Sequence, residues 1–284
     1  MIQTRTRLDY TSWGRVVRVP HQVIAPRYRD ELPAYVQARH GAMPFLPVGL
    51  RRSYGDSVIN TGNTLVDMTC LDRLIAFDAT TGLLRCEAGA TIDEILRIVV
   101  PRGWFLPTTP GTRFVTLGGA VANDVHGKNH HCAGSIGCSV QSLTLLRSDA
   151  PPQHLRPGEP LFQATIGGLG LTGVISEVEI ALAPIKSAFL DVERIPYGNI
   201  EEFFSIARES NDGFEHTVSW IHCANAGRPL GRGIFQPSYW RQHRRVLARL
   251  RQGGPRAPRR LLTNNMTCQT TCLFNTLYQR FKQP

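Results

Sequence analysis

After Glu215 this chain of 284 residues contains no aspartate or glutamate. Twelve of its 32 lysines and arginines lie beyond that point, so the last 69 residues carry +12 with no carboxylate among them. Residues 1–215 hold the other 20 basic side chains against 22 acidic ones, a balance of −2. The formal net charge of +10 therefore averages two electrostatically different halves. Eight arginines fall between Arg241 and Arg260. They read either as a solvated helix face or as a surface for phosphates, whether lipid headgroups, nucleic acid or a phosphorylated substrate. Aromatic interleaving there is limited to Tyr239 and Trp240, and no recognition motif appears, which sets nucleic acid aside as a partner.

Long apolar runs are missing too. None approaches the roughly 20 residues needed to span a bilayer. The N-terminus, MIQTRTRLDYTSWGR, lacks an apolar h-region, which argues against a secretory signal. CxxC pairs are absent: the seven cysteines are odd in number and scattered, which points to reduced thiols in the cytoplasm rather than a disulfide framework. Cys268 and Cys272 stand four apart with no second ligand pair nearby, so no metal site is assigned. Hydrophobic residues make up 42%, ample for one large domain or two smaller ones.

The most telling stretch runs from Pro110 to Ser135, PGTRFVTLGGAVANDVHGKNHHCAGS. A Gly118–Gly119 pair followed by Ala120, Val121 and Ala122 gives a backbone almost without side-chain bulk. A flat or anionic ligand is then expected to approach its N–H groups closely. His126, Lys128, Asn129, His130 and His131 follow as a polar cluster able to act on what that backbone holds. His126 and His130 have helical i, i+4 spacing, but Gly127 lies between them and no carboxylate or cysteine pair completes a tetrahedral set. Metal binding and structural hydrogen bonding by His130 and His131 stay open as alternatives to a ligand-facing role for His126.

Local signals divide the chain near residue 185. Residues 74–77 and 83–86 predict a hairpin across Asp78–Gly82. Thr91 and Glu94 form a capping-box pattern for a helix through Ile92, Ile95, Leu96 and Val99, ended by Pro101 and Gly103. Val140–Leu146 reads as an apolar strand, and Gly173–Pro184 alternates with Val174, Val178, Ile180 and Leu182 on one face. Beyond Pro184 a second capping pattern, Asn199 to Glu202, opens a helix through Phe203, Phe204 and Ile206.

Three glycine-bearing loops recur in order: Gly49–Asp56 (GLRRSYGD), the Pro110 block, and Gly167–Gly173. Each alone reads as an ordinary turn. Gly168, Gly170 and Gly173 satisfy GxGxxG, but VISEVEIAL follows with a strand period, so a Rossmann site, which needs a helix to open there, is excluded. The first loop follows an apolar segment, and its backbone, the Ser53 hydroxyl and Arg52 suit phosphate oxygens.

With Trp13–Gly14–Arg15 and GGLGLTGVI from Gly167, these loops resemble the flavin-binding half of the vanillyl-alcohol oxidase / p-cresol methylhydroxylase superfamily. Within it the resemblance is to the decaprenylphosphoryl-β-D-ribose oxidase group. It implies an α+β fold: a two-subdomain FAD-binding domain of the p-cresol methylhydroxylase type over residues 1–185, then an incomplete, strongly basic α+β substrate or cap domain over 186–284. By the same resemblance Gly49, Arg52, Ser53, Tyr54, Gly55 and Asp56 cradle the FAD pyrophosphate, with Trp13 beside them. Pro110, Gly111, Thr112, Thr116, Gly118, Gly119, Ala122, His126 and Gly127 line the flavin, while Gly170, Gly173 and Ile175 lie towards the adenosine. His126 and Lys128 stand near the reacting centre.

The implied reaction moves hydride from a sugar carbinol carbon to flavin while a base takes the hydroxyl proton. No histidine occupies a tethering position, so non-covalent FAD is expected. The implied substrate is a polyprenyl-phosphate sugar or related sugar alcohol, with a sugar-lactone oxidase as the neighbouring alternative. A reductase completing an epimerisation and a peripheral contact at the inner membrane are the implied partners of a cytoplasmic protein. Two departures stand out. Arg51 replaces the central glycine of the family's GLGRSYGD pattern, a position where positive φ or close backbone approach would make arginine costly. The chain also ends at Pro284, soon after LFNTLY (273–278), without the family's returning segment and its lysine. It reads as a truncated or frameshifted product, or a fragment, that binds flavin with or without turnover.

Overall fold

A computed structural model describes residues 4–38, 44–210, 212–223 and 231–241. The chain divides into two compact units, Met1–Ile185 and Lys186–Pro284. Among the described residues no helix is long and apolar enough to cross a membrane.

The first unit begins with a four-stranded sheet of β1 (Arg5–Arg7), β2 (His21–Ile24), β3 (Phe45–Val48) and β4 (Thr64–Asp67), in the order β1-β2-β4-β3. β4 lies parallel to both neighbours and is buried along its whole length, as strands covered on both faces are. On one face Ile24, Val66 and Phe45 pack with Leu32, Tyr35 and Val36 of α1 (Glu31–Gln37). On the other, Val23, Leu46, Val48 and Leu65 pack with Tyr10 and Val58. Strand alternation thus splits one short apolar segment, Phe45–Val48, between two cores.

A five-stranded antiparallel sheet follows, with β5 (Leu74–Asp78), β6 (Leu83–Glu87), β8 (Val140–Arg147), β9 (Ala150–Leu155) and β10 (Val174–Ala181) in the order β5-β6-β10-β8-β9. The expected hairpin is β5–β6. The alternation after Gly173 is β10, with Val174, Val178 and Ile180 fully buried. A short pair, β7 (Trp104–Phe105) with β11 (Ala183–Pro184), closes the unit. α2 (Ile92–Val99) starts at the expected capping box: Thr91 Oγ1 accepts from Glu94 N at 3.1 Å and Glu94 Oε2 from Thr91 N at 2.9 Å. It passes into a 3₁₀ turn over Val100–Arg102 and stops at Gly103, whose φ is +84°. α3 (Leu117–Ala122), α4 (His130–Ala133) and α5 (Pro160–Thr165) are short.

In the second unit, β15 (Gly233–Trp240) pairs along one side with β14 (His216–Ile221) and along the other with β12 (Leu190–Val192) and β13 (Ile195–Tyr197), all antiparallel. Tyr197, Phe203 and Phe235 form an aromatic cluster against α6 (Ile200–Ser210). Asn199 Oδ1 caps Glu202 N at 2.9 Å, but the Glu202 carboxylate returns to Gly198 N, so the expected box closes one residue earlier. The arginine-rich run beyond Arg241 and the LFNTLY segment lie outside the described residues.

Candidate functional site

The backbone from Gly49 onward leaves the C-terminal end of β3, where parallel strands commonly present ligand-binding loops. Among the described residues, none of the main-chain N–H groups from Arg51 to Asp56 reaches a protein acceptor. A run of unpaired donors next to a hydroxyl, Ser53, is the chemistry that phosphate oxygens satisfy. Trp13 N donates to Ser53 O at 3.0 Å, which ties the N-terminal segment to this loop. The Arg52 guanidinium lies 5.6 Å from the Trp13 ring centroid, and its Nε donates to Phe114 O at 3.4 Å.

Arg51 does adopt the left-handed conformation that the resemblance made a concern, with φ at +56°. Its side chain stacks 4.1 Å from the Tyr10 ring centroid and brings Nη1 to 3.7 Å from Asp67 Oδ2. Tyr10 Oη donates to the same carboxylate oxygen, and Thr69 donates to Oδ1 through its N at 3.0 Å and its Oγ1 at 2.7 Å. Burial, and then the bond to Asp67, push the Tyr10 phenol up to about 12. The arginine thus has a cation–π and ionic socket of its own.

The loop is held against α3 by close approach. A Cβ on Gly49 would stand 2.1 Å from Thr116 Oγ1, the atom that caps α3 by accepting from Gly119 N at 3.2 Å. The reason Thr116 stands there is local: Ile92 N bonds Val115 O at 3.0 Å, and Leu117 N bonds Ala90 O at 2.8 Å, setting the caps of α2 and α3 side by side. Gly118 N likewise donates to Ala88 O at 2.7 Å. The N–H groups of Gly118 and Gly119 are therefore already used within the protein. This corrects the expectation that they face a ligand: the small residues supply room, and the free donors lie on the first loop. The third loop docks on the other end of α3, with Gly167 N on Val121 O at 3.0 Å and Leu169 N on Ala122 O at 2.8 Å.

These loops enclose a cleft of about 690 Å³, within the range of cofactor sites. Trp13, Gly49, Arg52, Ser53, Tyr54, Pro110, Gly111, Thr112, Thr116, Gly118, Gly119, Ala122, Gly170, Gly173 and Ile175 all line it. Gly55, Asp56, His126, Gly127 and Lys128 do not, although Val125 does. Sequence reasoning missed Val58, Met68, Ala88, Phe114 and Leu169, which add apolar wall. Of these Phe114, inside the Pro110 block, and Leu169, inside the Gly167–Gly173 loop, sit where a local pattern pointed. Trp13, Tyr54, Phe114 and Leu169 are 52%, 84%, 49% and 43% exposed around the cleft, more apolar surface than a satisfied cavity wall leaves to water. Free amides at one part of a long cleft and small or apolar walls along the rest fit FAD, with its pyrophosphate and flat ring system.

The turn after Val125 is anchored. Buried Asn129 donates through Nδ2 to Pro107 O at 2.7 Å, and Gly127 abuts the main chain of Thr109. His126 pairs as a single bridge with Ser135, and its ring meets that of His130 edge-on at 5.5 Å. Lys128 is exposed between them in sequence. Among the described residues no third metal-ligating side chain gathers there. The strand β10 follows Gly173 directly, so no helix opens at the GxGxxG string.

Residues 20–155 match a protein-family model described as an FAD binding domain. Decaprenylphosphoryl-beta-D-ribose oxidase of Mycolicibacterium smegmatis is 36% identical over 231 residues, covering 78% of this chain and 50% of that protein. An uncharacterized protein of the mprA 5′ region in Streptomyces coelicolor is 44% identical over 100 residues, 35% of this chain and 27% of the other. L-gulono-1,4-lactone dehydrogenase of Mycobacterium tuberculosis is 26% identical over 278 residues, 92% of this chain and 64% of that enzyme. The chain spans between about a quarter and two thirds of the length of these relatives.

Proposed function

This chain carries an FAD binding domain, and from that premise we propose that it is the flavin-holding part of an oxidoreductase that converts a sugar hydroxyl to a ketone. The observation that carries the reading is the cleft itself: unpaired amides of its lining residues Arg51 to Tyr54 on the first loop, and small or apolar residues elsewhere. Bound FAD supplies the acceptor for the carbinol hydride. The amides of the first loop and Ser53 hold the pyrophosphate, and Arg52, braced by Trp13 and Phe114 O, adds charge beside them. Thr116 keeps α3 capped, so that Gly118, Gly119 and Ala122 leave space for the ring.

In this reading the anchored turn after Val125 brings His126 and Lys128 to the substrate. The imidazole of His126 accepts the hydroxyl proton through a ring nitrogen, and the Lys128 ammonium donates a hydrogen bond to the carbinol oxygen. The flavin is held non-covalently. The similarity to decaprenylphosphoryl-beta-D-ribose oxidase favours a polyprenyl-phosphate sugar, and the +12 carried after Glu215 suits its phosphate at the inner face of a membrane, with the protein otherwise cytoplasmic. Residues 186–284 then belong to the substrate side, and a reductase acting on the ketone completes an epimerisation. The similarity to L-gulono-1,4-lactone dehydrogenase favours a sugar lactone as the second reading.

The test is anaerobic mixing of the FAD-loaded chain with a polyprenyl-phosphate pentose or with L-gulono-1,4-lactone, following the visible flavin band. Bleaching by the lipid-linked sugar, slowed at least tenfold in His126→Gln and Lys128→Met at unchanged flavin content, is expected. Bleaching by the lactone alone favours the second reading. Bound flavin that neither substrate bleaches means a flavin-binding chain without turnover, and the catalytic assignment fails.

A further inference from the structure

A second cavity, of about 280 Å³, shares a wall with the flavin cleft. The shared residues are Trp13, Leu50, Arg51 and Arg52, so the first loop stands between the two spaces. The walls differ in chemistry. The large cleft is lined by small and apolar side chains, whereas Arg15 and Arg18 join Arg51 and Arg52 around the smaller one. The carboxylate there, Asp9, is held by Arg7 in a two-pronged contact, with Arg7 Nε 2.7 Å from Asp9 Oδ1. Among the described residues neither Arg15 nor Arg18 has a carboxylate partner.

One further observation points to a ligand. Ser12 also lines this cavity, is 2% exposed, and its hydroxyl finds no hydrogen-bond partner. A buried hydroxyl left unpaired costs roughly 1–3 kcal/mol, which an acceptor oxygen would remove. Arg15 is held at φ +54°, a conformation that disfavours an ordinary side chain by about 1–2 kcal/mol. With Ser12 O accepting from Arg15 N at 3.2 Å, the turn puts the serine and the arginine on one short loop.

We propose that this cavity is an anion subsite for a phosphate group, separate from the FAD cleft and sharing with it only the wall formed by Trp13, Leu50, Arg51 and Arg52. Two guanidinium groups without ion-pair partners and a hydroxyl match the oxygens of a phosphate ion or phosphomonoester, and guanidinium binds such oxygens in paired fashion. The volume admits a phosphate with a small substituent and excludes a dinucleotide.

The test uses the full chain, with and without saturating FAD, titrated with inorganic phosphate by calorimetry at constant chloride. Flavin occupancy is read separately from the visible band, so failure of FAD binding is distinguishable from failure of the subsite. One phosphate bound per chain in both states is expected, weakened at least tenfold in Arg18→Gln and restored in part by Arg18→Lys. Arg147→Gln, at an exposed pair with Asp149, serves as the charge control and leaves phosphate affinity unchanged. Phosphate that binds only the FAD-free chain and is displaced by FAD belongs to the flavin cleft and overturns the proposal. So does absence of binding, or equal loss in Arg18→Gln and Arg147→Gln.

Discussion

Arg51 holds its guanidinium 4.1 Å from the centre of the Tyr10 ring while its own backbone sits at φ +56°. The residue that departs from the glycine-rich loop pattern is thus strained in its main chain and rewarded in its side chain. The two effects are of the same order, about 1–2 kcal/mol each.

That balance predicts an order among substitutions. Arg51→Ala keeps the positive φ and loses both Tyr10 and Asp67, so it destabilises the chain by about 2 kcal/mol. Arg51→Gly relieves the strain and costs about 1 kcal/mol less than alanine. Urea unfolding midpoints with unchanged slopes measure both. Equal losses, or glycine the worse, would show that the positive φ of Arg51 carries no strain, and an unchanged midpoint in Arg51→Ala would show that the socket formed with Tyr10 and Asp67 does not hold the loop.

Gly49 and Thr116 form the second coupled pair. Gly49→Ala places a methyl 2.1 Å from Thr116 Oγ1 and dislodges the α3 cap, with an expected cost of about 2 kcal/mol and weaker flavin retention. Thr116→Ala alone costs about 1 kcal/mol as a lost cap. In the double variant Oγ1 and Cγ2 of residue 116 are gone and the new methyl stands 3.2 Å from its Cβ, so the combined cost falls below the sum by about 1 kcal/mol. A double-mutant cycle on unfolding free energies checks this; strict additivity contradicts the contact.

His21 makes stability depend on pH. Its ring is buried and its Nε2 accepts from Asn60 N at 3.2 Å, so burial keeps it neutral and lowers its pKa below the ordinary 6.5. A folded pKa below the unfolded one adds stability that is present above pH 6.5 and is lost as pH falls through the folded value. Melting temperature is expected to drop between pH 7.5 and 5.5, and to drop less in His21→Gln. An identical fall in the variant would assign the acid sensitivity elsewhere.

Much of the first unit was legible because its signals are local. The Thr91–Glu94 box, the β5–β6 hairpin and the alternation along β10 each lie within a few residues, and each appears where its pattern placed it. The GxGxxG string was set aside because a strand period followed, and β10 follows. What was not legible depends on distance along the chain. Tyr10 and Asp67 are 57 residues apart, and nothing near Arg51 announced that they would receive it. The Gly118–Gly119 amides illustrate the converse: their pattern suggested donors facing a ligand, yet Ala88 O and Thr116 Oγ1 take them. Small size and free hydrogen-bonding capacity are separate properties, and only the first is written in the residue type.

The central claim, a cleft built for non-covalent FAD, is tested most directly by the visible absorption of the purified chain before and after incubation with excess FAD. The account predicts a flavin spectrum that survives gel filtration, at about one flavin per chain, and is released into the filtrate on denaturation. A chain that stays colourless after incubation would contradict it, since the free amides of Arg51–Tyr54 and the open walls beside α3 would then hold no flavin.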